Sequence, residues 1–167
     1  MSDLLGIGPL LEYTAWERDK WRAVFDKNGA AFRTGAGPNG DGRLNTVGEI
    51  VRHIFSAEKR YPERLMGKPL SETGGVSAED VRAVFTLGEE SRRAFREFLT
   101  SFPAEEWDRS REMPMFKSTL MITPRKIVMH TMLHEIRHWA QIATMLRFAG
   151  VTDGFHDFLF SPVLGHA

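Results

Sequence analysis

Apolar residues recur three and four positions apart over four stretches of the chain, and glycine- and proline-rich runs separate these stretches. In residues 3–27 the repeat runs through Leu4, Leu5, Leu10, Leu11, Trp16, Val24 and Phe25. Gly6, Gly8 and Pro9 place the firm start of this helix near Pro9, and Trp16 and Trp21 read as core aromatics. Residues 46–66 open on Thr46-Val47-Gly48-Glu49, which fits a capping box, and bury Ile50, Ile54, Ala57, Tyr61 and Leu65 on one face. A third helix starts at Ser77, with Asp80 three residues on, and runs to about Thr100 on Val81, Val84, Phe85, Phe95, Phe98 and Leu99. Glu89, Glu90, Arg92, Arg93, Arg96 and Glu97 form its charged outer face, read as solvated. The fourth stretch, residues 123–149, has Thr123 as cap, Pro124 in its first turn and Gly150 just past its end. It is apolar nearly all round, as befits the middle of a bundle.

The connections are long. Residues 28–45 hold five glycines and a proline and cannot sustain a helix; they read as a lid or a surface insertion. Residues 67–76 form a loop. Residues 101–122 carry a helical turn around 103–107 and a short extended segment over 113–122. The tail, residues 154–167, holds Phe155, Phe158, Leu159 and Phe160, which pack back on the bundle or on a partner subunit; His156 and His166 read as tail residues. Four helical patterns without strong strands predict an all-α fold, an antiparallel four-helix bundle with long connections, in a single domain over residues 1–167.

The chemistry concentrates on the fourth helix. His130, His134 and His138 lie four residues apart, within a sector of about 80° that also takes in Gln141. Imidazoles at i and i+4 stand close enough to converge on one ion. Because the helix is apolar on its other faces, the stripe is expected to point inward. His53 lies beside Ile50 and Ile54 and is a candidate further ligand from a second helix, with Glu58 a polar residue near the same face. Either ligands for a metal or hydrogen-bonded core histidines account for these residues.

Composition narrows the choice. The chain has no cysteine, so any metal must sit on His, Asp or Glu, and a thiolate site or Cys nucleophile is excluded. Its 22 basic and 22 acidic residues balance, which gives no drive toward nucleic acid or an anionic membrane. The start of the chain lacks the basic region and apolar core of a secretory signal, and no apolar run reaches the roughly 18 residues of a membrane span. A cytoplasmic protein is the expectation.

His134-Glu135-Ile136-Arg137-His138 matches H-E-x-x-H, the zinc peptidase pattern. The longer form of that motif fails because position 141 is Gln, and no Glu follows Glu135 to complete a ligand set. The segment from His130 to Gln141, taken with His53, instead resembles the DinB/YfiT-like superfamily of metalloenzymes. There a late helix reads roughly H-x-x-x-H-R-G-Q and a histidine stands on the second helix. His134, His138 and Gln141 match that late helix, with Trp139-Ala140 in place of Arg-Gly, and His53 matches the second-helix histidine. The resemblance spans about residues 9–160. It implies a four-helix bundle, often a homodimer, with one divalent metal ion, nickel or zinc, on His53, His134 and His138. It does not imply nucleic-acid binding. Relatives of this kind include thiol transferases that use low-molecular-weight thiols. On this reading the ion activates a thiol or water toward a small-molecule substrate, His130 and Gln141 orient ligands or touch substrate, and Glu58 or Glu135 acts as base. A metal-stabilised bundle or dimerisation module without catalysis remains the competing expectation.

Overall fold

The computed structural model describes residues 6–37, 42–115, 118–152 and 156–165. Leu4, Leu5, Phe155 and His166, named above, lie outside the described residues. The chain is mostly helical: α1 (Ile7–Lys27), α2 (Gly29–Phe32), α3 (Val47–Leu65), α4 (Val81–Ser101) and α5 (Pro124–Phe148). Strands β1 (Arg111–Met115) and β2 (Ser118–Ile122) pair antiparallel, with Met113 opposite Leu120, so the fold is not purely α-helical. The short extended segment expected over 113–122 thus corresponds to most of this two-stranded hairpin. Among the described residues no helix is long and apolar enough to cross a membrane.

Local chemistry sets most of the boundaries. Thr46 and Glu49 form the full capping box of α3. Thr123 Oγ1 accepts from the Lys126 amide at 3.3 Å, ahead of Pro124 in the first turn of α5. Two starts differ from expectation. Helix α1 begins at Ile7, after Gly6 in the left-handed region at φ 58°. Helix α4 begins at Val81 rather than Ser77, because the Asp80 side chain caps it through the Ala83 amide while Ser77 belongs to the preceding turn. The glycine-rich connection also departs from expectation. Its first part folds as α2 and buries Phe32 completely against Gly48, where a Cβ would stand 2.8 Å from the Phe32 ring and 1.9 Å from the Ala78 carbonyl oxygen.

Helix α3 packs on both α4 and α5, and α1 touches α4 and α5. One core cluster joins Trp21, Phe25 and Phe32 to Ile50, Ile54, Phe55, Phe85, Trp139, Ile142 and Leu146. A second, around Phe95, Phe98, Trp107, Ile127 and Met132, fills the end next to the hairpin. Gly88 allows α4 to approach α3: a Cβ there would fall 2.7 Å from the Phe55 ring.

The least expected feature lies among the four long helices. Each contributes one charge to a buried quartet: Arg18 from α1, Glu58 from α3, Arg92 from α4 and Glu135 from α5. Arg18 donates to Glu135 through Nε at 2.6 Å and Nη2 at 2.7 Å, and to Glu58 at 3.0 Å. Arg92 Nη2 reaches Glu135 at 3.0 Å, and its Nε stands 2.7 Å from Glu58 Oε1. Trp139 Nε1, the Thr14 hydroxyl and the carbonyls of Leu11 and Gly88 satisfy further polar groups. Arg92 is therefore not part of a solvated face. Its apolar-stripe position between Gly88 and Phe95 turns it inward, while Arg93 and Arg96 remain exposed.

Removing one member of a buried ion pair strands its partner's charge. Arg92→Met is expected to cost about 3–5 kcal/mol in urea unfolding, against no more than about 0.5 kcal/mol for Arg93→Met.

Candidate metal centre

Helices α3 and α5 pack so that His53 faces His134 and His138 across their seam. The packing that holds them includes Phe55 against Trp139, with ring centroids 6.3 Å apart. His134 Nε2 lies 3.1 Å from His53 Nε2 and 3.1 Å from His138 Nε2. The three donor atoms all fall within 4.8 Å of one another. Two tetrahedral ligands at about 2.0–2.1 Å from an ion stand roughly 3.3 Å apart, close to the spacing here. Hydrogen bonding alone accounts less well for this convergence. An imidazole Nε2 is either one donor or one acceptor, so the His134 atom cannot bond well to both neighbours at once. A cation satisfies all three.

The surrounding contacts prepare the nitrogens for that role. Gln141 Oε1 lies 2.9 Å from His138 Nδ1, a contact that suits the tautomer with its proton on Nδ1 and leaves Nε2 facing the other histidines. Burial, together with the neighbouring His138, His53 and His130, pushes the His134 pKa down to about 3. His134 is therefore neutral at pH 7 and able to ligate. All three rings are only half-buried. The stripe does not point into the core, as the apolar character of α5 suggested. It lies at the rim of the seam, and Leu133 and Phe148 of the same helix are 56% and 89% exposed. One face of α5 is buried, not its whole circumference.

His130 stands outside the trio. It is exposed, its ring lies 5.5 Å from that of His134, and its Nε2 is 3.3 Å from the Tyr61 hydroxyl. Burial, and then the Arg137 charge, lower its pKa. Glu58 and Glu135 require a correction. Both are about 1% exposed and committed to the arginine quartet. Burial disfavours the Glu135 anion, but the Arg18 and Arg92 guanidiniums outweigh it and hold the carboxyl below its usual range. Neither glutamate is placed to serve as the base. The peptidase reading of H-E-x-x-H loses its base with Glu135.

The DinB family's profile matches residues 1–164, nearly the whole chain. The chain belongs to the DinB family. None of the curated proteins compared with it matches. In this DinB-family protein the structure brings together His53, His134 and His138, a set able to hold a metal ion.

Sequence reasoning missed a second titratable cluster on the opposite face of α5. Glu17 is 4% exposed, and its Oε2 has no hydrogen-bond partner among the described residues. His156, far from being a loose tail residue, stacks on Trp21 at 4.1 Å and places Nδ1 4.0 Å from Glu17 Oε1. The Tyr13 hydroxyl donates to the His156 carbonyl at 2.6 Å. A glutamate one helical turn before a core tryptophan, on an apolar stripe, was the available signal.

Two measurements follow from these environments. Protein purified without a histidine tag is expected to hold about one equivalent of divalent metal per chain, lost in both His53→Ala and His134→Ala, by elemental analysis. Burial raises Glu17 from its ordinary 4.5 to about 8. The folded state then binds this proton more tightly than the unfolded chain, so its contribution to stability declines as pH rises across that window. Glu17→Gln should melt close to the parent at pH 5 and above it at pH 9 in thermal scans.

Proposed function

We propose that this chain is an antiparallel four-helix bundle enzyme of the cytoplasm. It holds one divalent ion, nickel or zinc, on His53, His134 and His138, and activates a low-molecular-weight thiol or water toward a small-molecule substrate. The observation that carries this reading is the convergence of three imidazole nitrogens from two helices at a half-open rim. A closed structural site takes four protein ligands, whereas three leave a position for an exchangeable one. The donor set is all nitrogen, which suits nickel and zinc alike. When bound, the ion supplies a Lewis acid that lowers the pKa of a thiol or water toward neutrality.

The chain's own residues do the rest. Gln141 holds the His138 ring by its Nδ1 proton. The buried quartet anchors α3 and α5 so that the ligands meet without rearrangement. With Glu58 and Glu135 unavailable, His130 Nε2 and the Tyr61 hydroxyl, 3.3 Å apart, form the pair that can accept and pass on a proton beside the ligands.

Thiol-transfer assays with nickel- or zinc-loaded protein test this. His130→Gln should retain its metal and lose roughly 10²-fold or more in rate, while His138→Ala loses metal and activity together. If metal binding raises the melting temperature of the parent but no thiol or hydrolytic turnover is found, the ion is structural and the enzymatic reading is overturned.

A further inference from the structure

The α3 face that presents His53 continues beyond it. Residues seven and eleven further on return to within about 20° of the same direction. They are Arg60 and Arg64, about 10 and 16 Å along the helix at 1.5 Å per residue. Together with His53, Tyr61 and Pro114 of β1 they line one cavity of about 400 Å³. Arg64 donates from Nη1 to the Pro114 carbonyl at 3.0 Å, which steadies it and leaves its other N–H groups available.

Arg60 is the telling residue. Its Nε is buried and has no hydrogen-bond partner among the described residues. Neither Arg60 nor Arg64 pairs with a carboxylate among those residues, whereas Arg18, Arg22, Arg92, Arg111 and Arg125 all do. Two guanidiniums without a carboxylate partner among the described residues, on the wall of one cavity, offer forked donors that match a carboxylate in two-point geometry.

We infer that this cavity is a subsite for a carboxylate carried by the small-molecule thiol, with the thiol end at the histidines and the carboxylate on Arg60 and Arg64. The inference rests on the thiol-activating reading of the histidine site. The spacing sets the ligand: an acid whose carboxylate stands several methylenes from its sulfur spans from His53 toward Arg60, while a compact one reaches only one end.

Zinc-loaded full-length protein titrated in a calorimeter with 6-mercaptohexanoate, 6-mercaptohexanol and hexanoate separates the contributions. The parent is expected to bind the mercapto acid about tenfold or more tighter than the mercapto alcohol. Arg60→Gln, checked for intact metal content, should bring the two within about twofold by weakening the acid alone; Arg64→Gln serves as a second, independent variant. Equal binding of acid and alcohol by the parent, or an undiminished preference in both variants, overturns the subsite. Hexanoate isolates the subsite from the thiol. If it binds in an Arg60-dependent way and the sulfur adds nothing, the carboxylate subsite stands and the thiol reading falls. If neither acid binds, the subsite is wrong.

Discussion

Four buried charges, one from each long helix, constrain the rest of this structure. Arg18, Glu58, Arg92 and Glu135 cannot be left singly in an apolar interior, so all four helices must present them to a common point. That requirement acts on rotation as well as position. With Glu135 turned inward, His134 and His138, about 100° and 60° to one side of it, are carried to the edge of α5. With Glu58 turned inward, His53 is swung some 140° round α3 to the seam with α5. A hydrophobic face tolerates small rotations, because Leu and Ile packing is broadly permissive. Directional hydrogen bonds between guanidinium and carboxylate do so far less. The quartet therefore serves the histidine site from a distance, without touching its ligands.

The same arrangement divides the polar groups of the interior into two kinds. The quartet is closed: its guanidiniums and carboxylates face one another, a tryptophan and backbone carbonyls. The groups along the α3–α5 seam are open. Three imidazole nitrogens converge on the shared His134 Nε2, and Arg60 and Arg64 line a cavity further along the same face of α3. Imidazole and guanidinium groups gathered along one face of α3, beside the paired histidines of α5, are the physical mark of a surface made to bind. Helix α5 separates this seam from Glu17, whose desolvated carboxyl lies 4.0 Å from His156 Nδ1.

Much was legible along the chain because it depends on neighbours in sequence. The i, i+4 spacing of His134 and His138 follows from the helical repeat, as does their relation to Gln141. The capping box at Thr46 and the Thr123–Pro124 start of α5 are short-range hydrogen bonding and backbone stereochemistry. The absence of cysteine left only nitrogen and oxygen donors for a metal. The family resemblance, resting on a handful of residues, selected His53 as the partner of that pair.

What only the tertiary structure decided is which way each polar residue faces. Arg92 sits in a run of charges that looks solvated, and its inward turn depends on Arg18, Glu58 and Glu135 from three other helices. Glu135 lies inside a familiar catalytic pattern, yet two arginines distant in sequence draw it into the core. His156 reads as a tail residue until Trp21 and Tyr13 are seen beneath it. Local sequence sets the helical phase and the spacing of donors, because those are properties of one hydrogen-bonded helix. The partner of a buried charge is chosen by Coulomb attraction between helices far apart in the chain, and no periodicity records it.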